Sequence, residues 1–413
     1  MSKSMVGSHA VWPHEDDPIF GLAKRAGEAK EKFGKEKVID STLGSLVDDD
    51  GNLICFDSVY DELKNLPNSE IAAYAQVAGQ GDFLESVIEV LFKEYKPEGH
   101  IRAVATPGGT GAVRHGIWNY TEPGDTFIVG DWYWSPYQTM ADEFERKLKI
   151  YPFFNEKGGY NVEAFKENFN SIIDSQKRVL TIFNTPANNP TGYSISDEEW
   201  DEILEIIKEK AKDKENKITI LLDVAYIDYA GNDRRSFFKK FGNLPDNIFV
   251  MIAFSMSKGY TMYGMRSGAA IGISSNESIA DEFYYSLSHA NRSNWSNGVR
   301  GAMKVLTNLY RDKDKKAKYE AELESIRKLL VDRAKAFVDA SKEVGLVTLP
   351  YRDGFFVTIP CENSKDVSEE LIKDNLFAVP LKKGLRFAVC AVSKEKCAKS
   401  PALIKKALDK ING

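Results

Sequence analysis

Short apolar runs, each with a helix-spaced segment before or after it, constrain this chain more than any other feature. The runs are Ile101–Thr106, Thr126–Val129, Val179–Phe183, Ile218–Leu222, Ile248–Phe254 and Ser267–Ile273. Each reads as a buried strand. Asp82–Tyr95 and Ser196–Lys212 are two of the helical segments. The second opens with Ser196 and has Glu199 three residues on, the pattern of a capping box. Strands alternating with helices predict an α/β fold with a mostly parallel sheet covered on both faces.

The ends of the chain read differently. Residues 1–20 form an arm with Trp12, Pro13, Pro18 and Phe20 among acids, followed by a helical stretch from Gly21 to Phe33. Near residue 311 the texture changes. Arg311–Lys318 is a charge run, read as a solvated helix face, and Tyr319–Val344 has helical periodicity. Beyond it lie a Pro-bounded segment Leu346–Pro350, the run Gly354–Ile359, a strand-like Leu385–Val392 and a terminal helix over Pro401–Ile411. These predict a smaller α+β domain that the N-terminal arm joins. The expected division is 1–49 for the arm and part of the small domain, 50–310 for a large ligand-binding domain, and 311–413 for the small C-terminal domain.

Charge excludes some partners. The 413 residues carry 55 Lys and Arg against 61 Asp and Glu, a net −6. Such a chain has no global pull toward nucleic acid or an anionic membrane, so any anion must be held by a local site. Cys55, Cys361, Cys390 and Cys397 show no C-x-x-C spacing and read as free thiols in a reducing compartment. His9, His14, His100, His115 and His289 make no H-E-x-x-H pair, which argues against a zinc enzyme. No run reaches the ~18–20 apolar residues of a membrane span. The N-terminus lacks a basic segment followed by an apolar run, so no signal peptide is expected. The expected setting is the cytoplasm.

In parallel α/β sheets, ligands bind beyond the carboxyl ends of the strands. Ile218–Leu222 ends in Asp223, with Tyr226 three residues on. Ile248–Phe254 ends in Ser255, then Ser257 and Lys258. Val179–Phe183 runs into Asn184-Thr185-Pro186-Ala187-Asn188-Asn189-Pro190-Thr191-Gly192. Ile101–Thr106 runs into Pro107-Gly108-Gly109-Thr110-Gly111, and the strand ending at Val129 leads to Asp131-Trp132-Tyr133-Trp134. A carboxylate, a lysine, an amide, a glycine-rich turn and aromatics thus fall at five strand ends, and one ligand accounts for all of them.

Gly108 and Gly109 let backbone N–H groups approach an anion at the start of a helix. A dinucleotide fingerprint fails because Arg114 holds its third glycine position, and without G-K-[ST] the turn is no P-loop. A monophosphate fits, with Ser255, Ser257 and Arg266 as further ligands. Lys258 at a strand end is either a solvated loop lysine or a Schiff-base lysine. Asp223 is either a cap or the carboxylate that pairs with a pyridinium nitrogen. Tyr226 and Asn189 could donate to a 3′-oxygen, and Tyr133 or Trp134 could stack on a ring. Together they favour pyridoxal 5′-phosphate (PLP).

From Asp17-Pro18-Ile19-Phe20-Gly21-Leu22 to Gly384-Leu385-Arg386-Phe387 the chain resembles the fold-type I PLP-dependent aminotransferases of class I/II, in the aspartate and aromatic amino acid branch. Asn189-Pro190-Thr191-Gly192, Asp223-Val224-Ala225-Tyr226 and Ser255-Met256-Ser257-Lys258, with Arg266 eight residues later, carry the resemblance. It implies a seven-stranded-type sheet in a large PLP-binding domain plus a smaller α+β domain. It implies that Lys258 holds PLP as a Schiff base, that Asp223 pairs with the ring nitrogen, and that Asn189 and Tyr226 hold the 3′-oxygen. Gly109, Thr110, Ser255, Ser257 and Arg266 cradle the phosphate, with Gly108 where many relatives carry Ser. Arg386 forks the substrate α-carboxylate and Gly44 offers it a backbone contact. Tyr74 reaches the neighbouring subunit's phosphate, which implies a homodimer with shared active sites.

Two departures bear on substrate. Tyr133 stands where the branch usually has a stacking tryptophan, and register favours it over Trp134. His289 stands where an arginine donated by the partner usually grips a distal carboxylate, with Arg292 three residues on. Either Arg292 substitutes or dicarboxylates are not favoured. The expectation is an aromatic or otherwise apolar amino donor, with Trp295 and Tyr263 lining its pocket. A ping-pong transfer to a 2-oxo acid such as 2-oxoglutarate follows. The alternatives are an aspartate-type aminotransferase, a C–S lyase or decarboxylase, and a PLP-sensing regulator. The last is disfavoured because no helix-turn-helix or basic stripe is present.

Overall fold

A computed structural model describes residues 4–13 and 18–412. His14, Asp17 and part of the expected arm lie outside the described residues. The strands, in chain order, are β1 (Ile39–Ser41), β2 (His100–Thr106), β3 (Thr126–Gly130), β4 (Lys147–Tyr151), β5 (Arg178–Asn184) and β6 (Lys217–Asp223). They continue with β7 (Ile248–Ser255), β8 (Gly268–Ser274), β9 (Phe356–Pro360), β10 (Leu376–Leu381) and β11 (Gly384–Ala388).

Seven strands form one sheet in the order β2-β8-β7-β6-β5-β3-β4. Its strands β3 to β7 run parallel. Burial is two-sided, as the unbroken apolar runs require. Ile218, Ile220 and Leu222 of β6 enter one hydrophobic core while Leu221 between them enters another. In β7, Ile248, Val250, Ile252 and Phe254 face the first core, and Phe249, Met251 and Ala253 the second. Each such buried Val, Leu, Ile, Phe or Met side chain stabilises the fold by about 1.5–3 kcal/mol.

β8 is the antiparallel member, paired with both β7 and β2. A parallel neighbour needs a crossover, usually helical. The link from β7 to β8 holds only the short helix Met256–Gly259 and a 3₁₀ turn, so the chain doubles back. β8 is also built of small residues. A Cβ on Gly268 would lie 2.3 Å from the Phe254 carbonyl and 2.9 Å from Gly108 Cα. That bare glycine lets the glycine-rich turn settle onto the sheet.

A second sheet has the order β1-β10-β11-β9, and β1 from the N-terminal part pairs parallel with β10. It packs on the helices Lys313–Glu343 and Lys394–Asn412 through Phe337, Phe387, Leu385 and Ile404. The charge run is the start of the first of these helices, whose N-terminus is capped by Asp312. The terminal helix starts seven residues before Pro401, which sits inside it rather than at its first turn. The strand-like Leu385–Val392 stops at Ala388 and continues as a 3₁₀ turn. The short or charged strands β1, β4 and β10 are additions to the sequence reading. Among the described residues no helix is long and apolar enough to cross a membrane.

Candidate active site

Parallel strands end at one edge, and there the register sets Asn184 of β5 beside Asp223 of β6. Asp223 is buried. Its Oδ2 accepts from the Tyr137 hydroxyl at 2.6 Å and its Oδ1 from the Ala225 N–H at 3.2 Å. Burial pushes the carboxyl pKa up, and these two donors oppose that rise.

Asn184 joins two strand ends. Its Nδ2 donates to the Asp223 carbonyl at 3.0 Å, and its Oδ1 accepts from the Asn189 N–H at 2.6 Å. The Asn189 side chain then reaches outward. Its Nδ2 donates to the Tyr226 hydroxyl at 3.4 Å and its Oδ1 accepts from Arg386 Nη1 at 3.1 Å. Arg386 lies on β11 and is buried, over the Phe356 ring at 4.4 Å. Its Nη2 donates to the Thr42 carbonyl at 2.8 Å, while its buried Nε has no partner among the described residues.

Lys258 lies in the turn helix Met256–Gly259 that leaves β7. Its Nζ donates to the Gly44 carbonyl at 2.6 Å and faces the rings of Tyr263, Tyr226 and Phe355 at 4.8, 5.7 and 5.8 Å. This enclosure disfavours the ammonium and brings its pKa down to about 8, with Arg386 and Arg266 adding repulsion. Gly44 is tight. A Cβ there would meet the Phe356 ring at 2.7 Å.

Beside the lysine, the helix Gly108–Tyr120 points its N-terminus at the β7 end. Gly108 has φ +67, and a Cβ on it would lie 3.0 Å from Arg266 Nη2. A Cβ on Gly109 would lie 3.4 Å from Ser255. Arg266 Nη1 donates to Ser257 Oγ at 3.1 Å and to the Tyr263 carbonyl at 2.8 Å. Gly108, Gly109, Ser255, Ser257 and Arg266 therefore converge where the N-terminus of this helix meets the end of β7, with Thr110 next in its first turn, an arrangement suited to an anion.

Residues 37–400 match the family model described as aminotransferase class I and II. The chain belongs to this family. The aspartate aminotransferase of Salmonella typhi is 25% identical over 338 residues, 80% of this chain and 82% of that protein. A crystal structure of an aminotransferase from Anaerococcus prevotii is 46% identical, with a TM-score of 0.96 over 98% of this chain and 99% of that one. The aromatic-amino-acid aminotransferase of Burkholderia pseudomallei, covalently bound to pyridoxal phosphate, is 20% identical. It shares the fold, with a TM-score of 0.78 over 97% of this chain and 98% of that one.

The aminotransferase is PLP-dependent, and its residues fit that cofactor. The buried carboxylate of Asp223 has two neutral donors as partners, and a ring N–H would be a third. Lys258 is depressed toward the nucleophilic range. The glycine turn leaves room beside Arg266 that a Cβ would fill. Arg386, buried with an N–H that has no partner among the described residues, suits a carboxylate that arrives with substrate.

Other expected residues stand apart. Tyr74 is 88% exposed, and His289 and Arg292 are exposed near the end of the helix Glu277–Asn294. Arg292 Nη1 donates to Ser296 Oγ at 2.6 Å. Trp295 does not join the lysine pocket. It stacks on His115, with ring centroids 4.6 Å apart, whereas Tyr263 does face Lys258. Tyr133 and Trp134 are both half-buried and both touch Tyr137, the first stacked at 6.5 Å and the second edge-on at 5.5 Å. Sequence reasoning missed Tyr137 and Thr42. It named Asn184 by its strand-end signal, as the first residue after the run Val179–Phe183, but gave it no role. Tyr137 and Thr42 carry no such signal.

Proposed function

We propose that this enzyme moves the amino group of an L-amino acid with an aromatic or other apolar side chain to a 2-oxo acid such as 2-oxoglutarate. The observation that carries the reading is that Lys258 Nζ and Arg386 Nη2 reach the carbonyls of Gly44 and Thr42, two residues apart on one segment. A substrate whose α-carboxylate is forked by Arg386 has its Cα within the lysine's reach. PLP, when bound, supplies a ring that accepts the electron pair left as Cα loses its proton.

The protein groups divide the remaining work. Lys258, with a pKa near 8, has an appreciable neutral fraction at physiological pH, so Nζ can take the Cα proton and deliver it across the amino nitrogen to the carbon two atoms away. Asp223 holds a proton on the ring nitrogen, and Asn189 and Tyr226 donate to the 3′-oxygen. Gly108, Gly109, Thr110, Ser255, Ser257 and Arg266 hold the phosphate, and Tyr133 backs the ring. The two half-reactions share one site, so kinetics are ping-pong.

The exposure of Tyr74, His289 and Arg292 supports a homodimer in which they serve the partner's site. His289 in place of a permanent cation favours an apolar donor. Arg292 is the observation that favours a second reading, an aspartate-type donor. The pairing of β1 with β10 supports a small domain of 1–49 and 311–413 beside a large PLP-binding domain of 50–310. The free thiols of Cys55, Cys361, Cys390 and Cys397 support a cytoplasmic setting.

A panel of amino donors against 2-oxoglutarate tests the substrate. Tyrosine and phenylalanine should exceed aspartate in kcat/KM. Aspartate far ahead of both would establish the second reading.

A further inference from the structure

Tyr137 is one of the largest fully buried side chains among the described residues, and its hydroxyl donates to Asp223 Oδ2 at 2.6 Å. It sits in the first turn of the helix Pro136–Glu143, just after the strand-end aromatics. Its ring lies parallel to Tyr133 at 13° and edge-on to Trp134 at 88°. One side chain thus touches the proposed partner of the cofactor nitrogen and both candidates for the stacking ring.

We propose that Tyr137 is a positioning residue of the reaction: its hydroxyl orients and solvates the Asp223 carboxylate, and its ring sets the plane of Tyr133. The inference rests on the assignment of Asp223 to the ring nitrogen. A carboxylate enclosed by protein is stable as an anion only when donors replace the water it has lost. Asp223 has two, and the O–H donor is the shorter, in the range of charge-assisted bonds. Among the causes acting on Asp223, burial raises its pKa most and Tyr137 is the first to oppose it. Without the hydroxyl the carboxyl answers burial by taking a proton. A neutral Asp223 no longer favours a protonated ring nitrogen, and proton removal at Cα slows. A tyrosine that merely filled space would need no hydroxyl here, since phenylalanine has the same outline.

The test is a double-mutant cycle of Tyr137→Phe and Asp223→Asn, read by the PLP dissociation constant and by the single-turnover rate with one amino acid. Tyr137→Phe should weaken PLP and slow the turnover by about tenfold to a hundredfold, the range for a hydrogen bond to a charged group. In the Asp223→Asn background the same change should move either quantity by less than about twofold, because the group it acts through is gone. Additive losses overturn the inference and leave Asp223 in its role. A damaging Asp223→Asn beside a silent Tyr137→Phe does the same. A silent Asp223→Asn overturns both the assignment and the inference. If Tyr137→Phe does not fold, 3-fluorotyrosine at position 137 keeps the ring and donates more strongly. The acid-side transition of the bound cofactor's visible spectrum should then move to lower pH, and an unmoved transition overturns the inference.

Discussion

Lys258 Nζ donates to the carbonyl of Gly44 at 2.6 Å, joining residues 214 positions apart in the chain. The bond parks the lysine on the segment that also receives Arg386, so the base and the carboxylate fork share one support.

Lys258→Ala should abolish transamination to the limit of detection. A positioned general base alone contributes about 10²–10⁴ in rate. Formation of the 2-oxo acid product checks this, and a wild-type rate would refute the assignment.

The ionisation of Lys258 gives a pH prediction. In protein freed of PLP, acylation of this lysine should rise with pH through a midpoint near 8 instead of near 10.5. The sign for stability follows from linkage. The folded-state pKa lies below the unfolded one, so between these values the unfolded chain binds more protons. On this group's account, stability rises with pH from about 8 to 10.5 and is lost as pH falls through that window. Mass-spectrometric labelling across pH reads the first effect and denaturant titration the second.

Arg386→Lys keeps the charge and loses the planar fork. KM for the amino donor should rise about tenfold to a hundredfold, with kcat falling less. Steady-state kinetics decides it, and an unchanged KM would remove Arg386 from carboxylate binding.

Gly268→Ala should loosen the phosphate cradle from beneath. The new methyl would lie 2.3 Å from the Phe254 carbonyl and 2.9 Å from Gly108 Cα, both backbone atoms. Overpacking of this kind costs about 1–3 kcal/mol. The expected result is a lowered Tm together with weaker PLP binding, measured by release of the cofactor on dialysis.

Arg235→Met should be a stability defect that reaches the site. Arg235 Nη2 and Asp228 Oδ1 pair at 2.6 Å with both side chains buried, and Asp228 abuts Gly259 next to Lys258. Removing one partner of a buried pair costs about 3–5 kcal/mol. Calorimetry should show the loss, and Asp228→Leu combined with it should restore part of it.

The strand-end residues were legible because of a local rule. Asp223, Ser255 and Lys258 follow apolar runs, and parallel strands bring such ends to one edge whatever the loops do. The same rule covered Asn189 and the glycine turn. It could not give the direction of β8, which depends on a connection too sparse in helix for a crossover. Nor could it place Trp295, whose ring finds His115 through packing between two helices.

The sequence by itself determined which chemical groups this aminotransferase owns and at which strand ends they stand, because hydrophobic period and motif spacing are local properties. Only the tertiary structure decided who touches whom: Tyr137 on Asp223 across 86 positions and Arg386 on Asn189 across 197. Those pairings come from the sheet order and from the second sheet closing over the first, and no local pattern encodes a distance between segments. The ionisation of Lys258 belongs to the same class, since its environment is built from Tyr226, Tyr263 and Phe355, which only folding brings around one nitrogen.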